Sequence, residues 1–193
     1  SNQPNYPVGT IVSARTAWEE QSILNGRDLC SPLQISEQIP LHQYMSILGP
    51  TGITAWIGLF EIGKPNKGET VLVSAAGGAV GTVVGQLAKS QGCMVIGLTS
   101  SREKANWLER EVGFDRVIDR ETHLDLAASI GDIAPEGIDL FFDNVGGQVL
   151  DTVICQLRER ARLVLCGAIS QYESPVEPLR NTWELITKRA RME

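Results

Sequence analysis

The sequence predicts an α/β fold with a doubly wound parallel sheet, and three observations support this prediction. Short apolar segments rich in valine and isoleucine alternate with segments whose apolar residues recur at helical spacing. This alternation is typical of parallel strands joined by right-handed helical crossovers. A glycine-rich stretch, Ala-Gly-Gly-Ala-Val-Gly at residues 76–81, separates one such strand from its helix. The later polar or glycine-rich clusters follow predicted strands, at the edge where such sheets bind ligands.

The part of the chain before the glycine-rich stretch carries few regular elements. Residues 8–14 alternate in polarity and predict a strand near a sheet edge, and residues 18–37 are polar and irregular. Residues 41–48 predict a short helix that ends at Gly49-Pro50. Residues 51–62 predict a second helix with one apolar face, formed by Ile53, Trp56, Ile57 and Phe60.

The stretch at residues 70–81 has the features of a dinucleotide fingerprint. Residues 70–74 (Thr-Val-Leu-Val-Ser) predict a buried strand, and Ala76 takes the place of the first glycine in G-x-G-x-x-G. Small residues let the backbone turn tightly and approach a pyrophosphate, and Gly81 lets the next helix press on the strand. Flexible loops also collect glycine, but the flanking strand and amphipathic helix favour nucleotide binding in a Rossmann fold.

The end of the second predicted strand, residues 94–99, indicates which dinucleotide is bound. An NAD site usually has an acidic residue about 20 residues after the glycines, which grips the ribose hydroxyls. Here residues 99–104 are Thr-Ser-Ser-Arg-Glu-Lys, with hydroxyls and two cations. These groups suit a 2′-phosphate and favour NADP(H). The simpler alternative is that Ser101 caps a helix and Lys104 is a solvated surface residue, which is compatible with phosphate binding.

Three further strands and four further helices complete the prediction. The predicted strands are residues 116–118, 138–143 and 161–166, and the predicted helices are residues 103–112, 124–133, 148–157 and 181–188. The strand at 138–143 opens into Asn-Val-Gly-Gly, and the strand at 161–166 opens into Gly-Ala-Ile-Ser-Gln-Tyr. Both clusters therefore lie at the predicted ligand-binding edge of the sheet.

The overall composition argues against several classes of function. The net charge of −6 and the scattered basic residues argue against a nucleic-acid-binding protein. No apolar run reaches membrane-spanning length, and no signal-peptide pattern occurs. No tyrosine is followed by lysine four residues later, which argues against a short-chain dehydrogenase. The cysteines form no C-x-x-C pair, so we expect no metal site and free thiols in the cytoplasm at Cys30, Cys93, Cys155 and Cys166.

Two motifs at the predicted ligand-binding edge resemble those of a known family. They are Asp143-Asn144-Val145-Gly146-Gly147 and Cys166-Gly167-Ala168-Ile169-Ser170-Gln171-Tyr172. Together with these motifs, almost the whole chain resembles the zinc-independent medium-chain dehydrogenases/reductases. The resemblance is to the branch of the prostaglandin reductases and leukotriene dehydrogenases, which includes alkenal and curcumin reductases. The resemblance implies NADPH-dependent reduction of the carbon–carbon double bond of an α,β-unsaturated ketone or aldehyde. It also implies a homodimer formed through the nucleotide-binding domain.

The resemblance further implies which residues bind NADP(H). The family's pyrophosphate loop matches Gly78, Ala79, Val80 and Gly81. The lysine on its 2′-phosphate matches Lys104, with Ser101 beside it, and an asparagine of its cofactor cleft matches Asn144. The loop that closes over its cofactor matches Cys166, Gly167, Ala168, Ile169, Ser170 and Tyr172. No acid–base residue is implied, and Tyr172 is the best candidate for a catalytic residue because it lies in this loop.

The chain departs from the family at two places, one where the family has a tyrosine near the adenosine end of the cofactor and one in the turn that presents Ser101. Asp119-Arg120 stands where the family usually has Asn-Tyr. Arg120 either replaces the tyrosine by stacking or phosphate pairing, or the contact is lost. Ser100 stands where the family commonly has glycine, which would shift the turn that presents Ser101.

The resemblance covers only part of the family's chain. The barrel-like catalytic domain is missing, as is everything after Glu193, including the last sheet strand that runs beside the nicotinamide. We therefore interpret residues 1–40 as a segment leading from the catalytic domain, and residues 41–193 as an NADP-binding Rossmann domain incomplete at its C-terminus. We expect this piece to be inactive alone. The alternative function is a non-catalytic NADP-binding module or sensor, because the fingerprint reports binding only.

Overall fold

A computed structural model gives the fold of the chain and describes residues 4–28 and 32–193. The chain divides into two compact units, Ser1–Tyr44 and Met45–Glu193. Cys30, one of the four cysteines considered above, lies outside the described residues.

The first unit consists mainly of irregular chain. Its helices within the described residues are two short 3-10 helices, Gly26–Asp28 and Leu41–Tyr44. The predicted strand at residues 8–14 is wrong, because alternation specifies a strand only when one face is buried, and the Val8 side chain is 90% exposed. The predicted helix at residues 41–48 forms only over Leu41–Tyr44.

The second unit is built on a parallel β-sheet of six strands. They are β1 (Thr70–Val73), β2 (Met94–Thr99), β3 (Arg116–Asp119), β4 (Ile138–Asp143), β5 (Leu157–Leu165) and β6 (Arg191–Met192). The strand order is β3-β2-β1-β4-β5-β6, and every pairing is parallel. Val71 pairs with Val95 on one side and with Leu140 on the other. This sheet confirms the predicted doubly wound fold, in which the strand order reverses between β1 and β4 and opens a ligand crevice there.

One helix precedes β1 and the others lie between successive strands in the chain, as the alternating pattern predicts. They are α1 (Pro50–Trp56), α2 (Ala79–Ser90), α3 (Arg102–Trp107), α4 (Leu126–Ile133), α5 (Gly147–Cys155) and α6 (Trp183–Thr187). Two of them continue as π-helical turns, α1 through Ile57–Gly63 and α3 through Leu108–Val112. These extensions end at Lys64 and Gly113, both in the left-handed conformation that commonly ends helices.

Both faces of the sheet are buried, and each face forms its own hydrophobic core. Alternate residues of a strand point to opposite faces, so Leu72 of β1 belongs to one core while Val71 and Val73 belong to the other. The first core contains Phe141 and packs against α4 and α5. The second contains Phe142 and packs against α1 and α2. Burial on both faces explains why these strands appear in the sequence as unbroken apolar runs.

The observed strands differ from the sequence prediction mainly at the far end of the sheet. β2 and β4 have the predicted bounds, whereas β5 begins at Leu157 rather than at residue 161. The sequence predicts no strand after residue 166, but the structure adds β6, which pairs with β5. A strand of two residues, one of them charged, is too short to show a periodic pattern.

An ion pair between Arg162 and Glu69 joins β5 to the residue before β1. Nη1 and Nη2 of Arg162 lie 2.9 and 2.5 Å from the two carboxylate oxygens of Glu69. The same guanidinium donates to the carbonyl oxygens of Gly63, Lys64 and Asp139. Burial raises the pKa of Glu69, but hydrogen bonds from Arg162 and Asn66 outweigh burial and lower this pKa below its ordinary value.

We predict that Glu69→Gln lowers the free energy of unfolding by about 1.5–3 kcal/mol at neutral pH, because Arg162 loses its charged partner. The folded-state pKa of Glu69 is lowered, so its stabilisation is complete above the unfolded-state pKa and is lost as the pH falls through the folded-state pKa. The difference between wild type and variant should therefore shrink below about pH 4. Urea unfolding at a series of pH values measures it.

Glu136→Gln is the matched control for this experiment. Glu136 pairs with Arg158 at 3.3 Å, but its side chain is 81% exposed, so removing its charge should have little effect on stability. If wild type and Glu69→Gln differed in free energy of unfolding by the same amount at neutral and acid pH, the assigned role of the ionised carboxylate would be contradicted.

Candidate functional site

A cavity of about 430 Å³ lies at the carboxyl ends of the central strands. We call it the site cavity. It is lined by Ser74, Ala75, Gly77, Gly78, Leu98, Thr99, Ser100, Lys104, Arg120, Val145, Val149, Ile169 and Ser170. These described lining residues provide hydroxyl groups, two cations and apolar side chains, and none of them is a carboxylate. The cavity lies in the crevice that the reversal of strand order opens.

The turn between β1 and α2 brings bare backbone to the site cavity. Ala75 is in the left-handed region (φ 47°), and its carbonyl oxygen accepts a hydrogen bond from the Gly78 N–H at 2.9 Å. A Cβ on Gly81 would lie 2.5 Å from that carbonyl oxygen, closer than a real Cβ comes to another atom. Only glycine therefore lets α2 begin against this turn, as the fingerprint predicts.

The first turn of α2 has backbone donors without partners in the helix. The residue that precedes the helix, Gly78, has no side chain to accept from them. The N–H groups of Ala79, Val80 and Gly81 come before the first intrahelical bond, which Thr82 donates to the Gly78 carbonyl at 3.0 Å. Free N–H groups and the positive end of the helix dipole together attract anions such as phosphate.

The segment after β2 places Ser100 and Lys104 at the site cavity. Ser101 is the N-cap of α3, and its hydroxyl oxygen accepts a hydrogen bond from the Lys104 N–H at 3.3 Å. Ser100, and not Ser101, lines the site cavity. The Lys104 side chain passes over the glycine turn, since a Cβ on Gly77 would lie 3.0 Å from its Cδ. Among the described residues no carboxylate lies within ion-pair distance of Lys104.

Arg120 is the second cation of the site cavity. It directly follows β3, and its N–H donates to the Thr99 carbonyl at 2.9 Å. The preceding Asp119 is buried and accepts hydrogen bonds from the Glu121 N–H at 3.0 Å and the Thr122 hydroxyl at 3.2 Å. In the described part of the chain, no carboxylate lies within ion-pair distance of the Arg120 guanidinium. The charges of both site cations are therefore open to a ligand.

A buried hydrogen-bond network joins the ends of β1 and β4. The Ser74 hydroxyl donates to Asp143 Oδ1 at 2.7 Å and accepts from the Asn144 N–H at 2.8 Å. The N–H groups of Val145 and Gly146 donate to the two oxygens of the same carboxylate, each at 3.0 Å. Asn144 donates through Nδ2 to the Ser74 carbonyl at 2.8 Å. Ser74 thus fixes the two strand ends relative to each other.

The carboxylate of this network is fully buried. Burial raises the pKa of Asp143 above its ordinary value, and hydrogen bonds from Val145, Ser74 and Gly146 lower it only in part. Beyond the network, Gly146 has a positive φ of 70°, and a Cβ there would lie 3.2 Å from the Cβ of Ala168. The chain can therefore turn into α5 at this place only where the side chain is absent.

The segment after β5, residues 166–172, packs over this network. The N–H groups of Cys166 and Gly167 donate to the Asp143 carbonyl at 2.8 and 3.1 Å. The Ser170 hydroxyl donates to the Val145 carbonyl at 2.6 Å. Through these bonds, the end of β4 positions the residues of this segment that line the site cavity.

A second cavity, of about 480 Å³, adjoins the same segment, and we call it the loop cavity. Tyr172 lines it with a side chain that is 70% exposed, and the phenolic oxygen accepts from the Ala168 N–H at 3.3 Å. No described residue accepts the phenolic proton, so the hydroxyl can donate to a ligand. Burial raises the pKa of the Cys166 thiol in this cavity, and the nearby charge of Asp143 adds to the effect.

The structure brings most of the predicted site residues to these two cavities. The site cavity contains Gly78, Lys104, Arg120, Ile169 and Ser170. The loop cavity contains Cys166, Gly167, Ala168 and Tyr172. The remaining ones form the turn, the cap and the network behind them, namely Ala79, Val80, Gly81, Ser101 and Asn144. The site prediction omits eight residues that line the site cavity, and the one clue to Ser74 was a hydroxyl at the end of a buried strand. The eight are Ser74, Ala75, Gly77, Leu98, Thr99, Ser100, Val145 and Val149.

Three further findings concern residues 4–28 and 32–193. None of their helices is both long enough and apolar enough to cross a bilayer. Their His, Cys, Asp and Glu side chains form no group of three or more that could hold a metal ion. Cys93, Cys155 and Cys166 are free thiols.

Known proteins match this chain in sequence over nearly its full length. The family described as "Zinc-binding dehydrogenase" matches residues 79–193. A 2-alkenal reductase (NADP(+)-dependent) of Nicotiana tabacum is 43% identical over 194 residues, which cover 100% of this chain and 56% of that protein. Prostaglandin reductase 1 of Oryctolagus cuniculus is 44% identical over 175 residues, which cover 90% of this chain and 50% of that protein. The chain therefore spans about half the length of the curated relatives it matches.

Solved structures match the fold as well. The crystal structure of CurA from Vibrio vulnificus has a TM-score of 0.75 and 39% sequence identity, and the match covers 81% of this chain and 48% of that chain. The structure of CurA in complex with NADPH from the same organism has a TM-score of 0.73 and 40% identity, with the same coverage. The similarity thus includes a protein whose NADPH complex is known.

We predict that Ser74→Ala lowers the free energy of unfolding by about 1–3 kcal/mol. The buried Asp143 carboxylate loses a donor, and the Asn144 N–H loses its acceptor. Urea unfolding at neutral pH measures the change. The matched control is Ser90→Ala, which removes an exposed hydroxyl that donates to the Leu87 carbonyl within α2 and should change stability by less than about 0.5 kcal/mol. Equal effects of the two variants would refute the importance of the network.

Proposed function

Because this chain belongs to the zinc-binding dehydrogenase family, we propose that it is the NADP(H)-binding part of an oxidoreductase. This membership confirms the resemblance drawn from the sequence, and the relatives lie in the zinc-independent branch of medium-chain dehydrogenases/reductases. The reaction we propose for the whole protein is NADPH-dependent reduction of the carbon–carbon double bond of an α,β-unsaturated ketone or aldehyde. Relatives named as 2-alkenal, (+)-pulegone and prostaglandin reductases support it.

The observation that carries the cofactor assignment is the charge of the site cavity. Lys104 and Arg120 line it together with the hydroxyls of Thr99, Ser100 and Ser170, in a chain whose net charge is −6. An NAD-specific site would place a carboxylate at the end of β2 to bind the ribose hydroxyls. Two cations and several hydroxyls instead suit the additional phosphate of NADP(H).

The glycine turn supports the same assignment at the pyrophosphate. Gly78 leaves room for a close approach, and the N–H groups of Ala79, Val80 and Gly81 have no partners within α2. We assign the pyrophosphate to these residues because free helix N-terminal donors bind phosphate groups. Ser101 contributes indirectly, since its cap of α3 holds the backbone of Lys104. When bound, NADPH supplies the hydride for the reduction.

The segment at residues 166–172 is assigned to the nicotinamide end. Its residues at the two cavities would exclude water from the reacting groups, and they are Cys166, Gly167, Ala168, Ile169 and Ser170. Asn144 supports this segment because its side chain ties β4 to β1. Tyr172 is the candidate for contact with the substrate, since its phenolic proton is free to donate to a developing negative charge.

The remaining assignments concern the whole protein. We propose that residues 41–193 form a nucleotide-binding domain, and that residues 1–40 lead from a catalytic domain. The whole protein is then a cytoplasmic homodimer that acts on a small enone or alkenal and binds no nucleic acid. The acidic net charge of −6 of this chain supports the last point for the part of the protein that it covers.

We predict that the chain binds NADPH more tightly than NADH, and that Lys104→Ala narrows this preference by about 1–3 kcal/mol, as expected for a hydrogen bond to a charged group. Isothermal titration calorimetry with both nucleotides measures the preference. Lys67→Ala is the control, because Lys67 is an exposed lysine that precedes β1 and lines neither cavity. Equal affinity for the two nucleotides in the wild-type chain would count against the NADP(H) assignment.

We also predict that the full-length protein consumes NADPH with a 2-alkenal such as trans-2-hexenal and yields the saturated aldehyde. The 193-residue chain alone should bind NADPH without turnover. The fall in NADPH absorbance gives the rate, and product analysis distinguishes the saturated aldehyde from the allylic alcohol. A full-length protein that binds NADPH but reduces neither enones nor alkenals would instead support a non-catalytic binding module.

A further inference from the structure

Residues 173–182 form one wall of the loop cavity, and we call them the wall segment. Three of them line that cavity, namely Val176, Glu177 and Leu179. The wall segment leads to α6 and contains no helix or strand of its own. In the described part of the chain, residues 173–179 make no backbone-to-backbone hydrogen bond, and their carbonyl oxygens accept one side-chain bond, from Gln171 Nε2 to Glu177 at 3.4 Å. The position of this wall therefore depends strongly on how its far end is held.

Asp151 of α5 holds the far end of the wall segment. Its Oδ1 accepts hydrogen bonds from the backbone N–H groups of Arg180 and Asn181, at 2.7 and 2.9 Å. The side-chain amide of Asn181 donates to Asp151 Oδ2 at 3.0 Å and to the Asp151 carbonyl oxygen at 3.1 Å. One aspartate thus accepts four hydrogen bonds from two consecutive residues. We call this set of bonds the latch.

The latch is attached to a helix that is fixed in the core. Leu150, Val153 and Ile154 of α5 are buried and belong to the first hydrophobic core. Leu150 directly precedes Asp151 and also lines the loop cavity. The latch therefore joins two walls of this cavity, α5 and the wall segment, and sets the spacing between them. Asp151 itself lines neither the loop cavity nor the site cavity, so it acts through other residues.

The groups of the latch match an ionised carboxylate. A carboxylate only accepts hydrogen bonds, and the groups that face it are backbone N–H and amide donors. Among the described residues no cation lies within ion-pair distance of Asp151, so these donors are its partners. Hydrogen bonds to an ionised acceptor are stronger than those between neutral groups. The latch can therefore hold a segment that has few other hydrogen bonds.

We propose that Asp151 is a positioning residue for the substrate, because its latch holds the wall segment against α5 and closes one side of the loop cavity. This inference rests on the proposed function and deepens it, since Tyr172, the residue assigned to substrate contact, lines the same cavity. Without the latch, the wall segment leaves α5 for part of the time, and only the remaining fraction of molecules binds substrate productively. Apparent affinity for the substrate falls in proportion to that fraction, whereas saturating substrate restores the held conformation.

The first test is the steady-state reduction of trans-2-hexenal by the full-length protein and its Asp151→Ala variant. The KM for the alkenal should rise about tenfold, as expected if the wall segment is held in about a tenth of the variant molecules. The kcat, and the dissociation constant for NADPH, should stay within about twofold of the wild type, because the variant loses only substrate binding.

Lys188→Met is the matched control, because this lysine also ties the C-terminal part of the chain to α5. Its Nζ donates to the Cys155 carbonyl oxygen at 2.6 Å, and Lys188 lines neither the site cavity nor the loop cavity. Urea unfolding should show a loss of stability in both variants, while only Asp151→Ala changes the KM. A loss of stability in Asp151→Ala with a KM within about twofold of the wild type would overturn the proposal and make Asp151 a structural anchor alone.

Exchanging the two partners tests the latch itself. Asp151→Asn alone places an amide NH₂ group against another donor, whichever way the new amide is oriented, and should raise the KM. Adding Asn181→Asp sets a carboxylate opposite an amide again, and the KM of the double variant should return most of the way to the wild-type value. Effects of the two substitutions that simply multiply would overturn the proposal.

Amide hydrogen exchange in the 193-residue chain gives a readout that does not depend on activity. The backbone N–H groups of Arg180 and Asn181 should exchange at least about tenfold faster in Asp151→Ala than in the wild type, because their acceptor is gone. In Lys188→Met they should exchange at the wild-type rate. Equal exchange at these two amides in Asp151→Ala and the wild type would overturn the latch.

The outcomes also separate this inference from the proposed function. If the full-length wild type reduces the alkenal and Asp151→Ala has the same KM, the reductase assignment stands and the role of Asp151 is wrong. If the full-length wild type reduces neither alkenals nor enones, both proposals fail together.

Discussion

The hydrogen bond between Ser74 and the buried Asp143 carboxylate is the constraint on which the site depends. It joins β1 and β4 at the point where the strand order reverses. Beyond this bond the segments that follow the two strands diverge. The segment after β1 enters the glycine turn, and the segment after β4 passes through Gly146 into α5. Because the carboxylate also accepts from two backbone N–H groups, hydrogen bonds rather than a cation compensate part of the cost of burying it. The opening of the crevice is thus set by a hydrogen-bond network between the ends of the two strands.

The molecule separates its charges along the strands. Its net charge is acidic, yet the described lining of the site cavity contains two cations and no carboxylate. Three aspartates that follow strands or precede a helix at this edge are engaged in hydrogen bonds, Asp119 and Asp143 with backbone and hydroxyl donors and Asp125 in a helix cap. Near the start of β1, Glu69 is neutralised by Arg162. The positive charge at the site cavity therefore arises from where the cationic side chains are placed in the fold, since the overall composition of the chain is acidic.

Local pattern predicted the sheet well and the site only in part. The bounds of β2 and β4 follow from apolar runs buried on both faces, whereas β6 is too short to show a pattern. The strand predicted at residues 8–14 failed because its alternation served no buried face. Ser74 escaped the site prediction because its partners lie about 70 residues away, and no local pattern reveals such a contact. The glycine turn was predictable because steric rules act within a few residues.

The β3 margin of the sheet carries features that oppose aggregation. β3 is an outermost strand of only four residues, and it begins with the exposed Arg116. Exposed strand edges attract further strands from other molecules, and short length and fixed charge are two ways in which natural sheets resist this. At this margin the sheet thus offers a second molecule few backbone groups for pairing, and the arginine places a charge beside them.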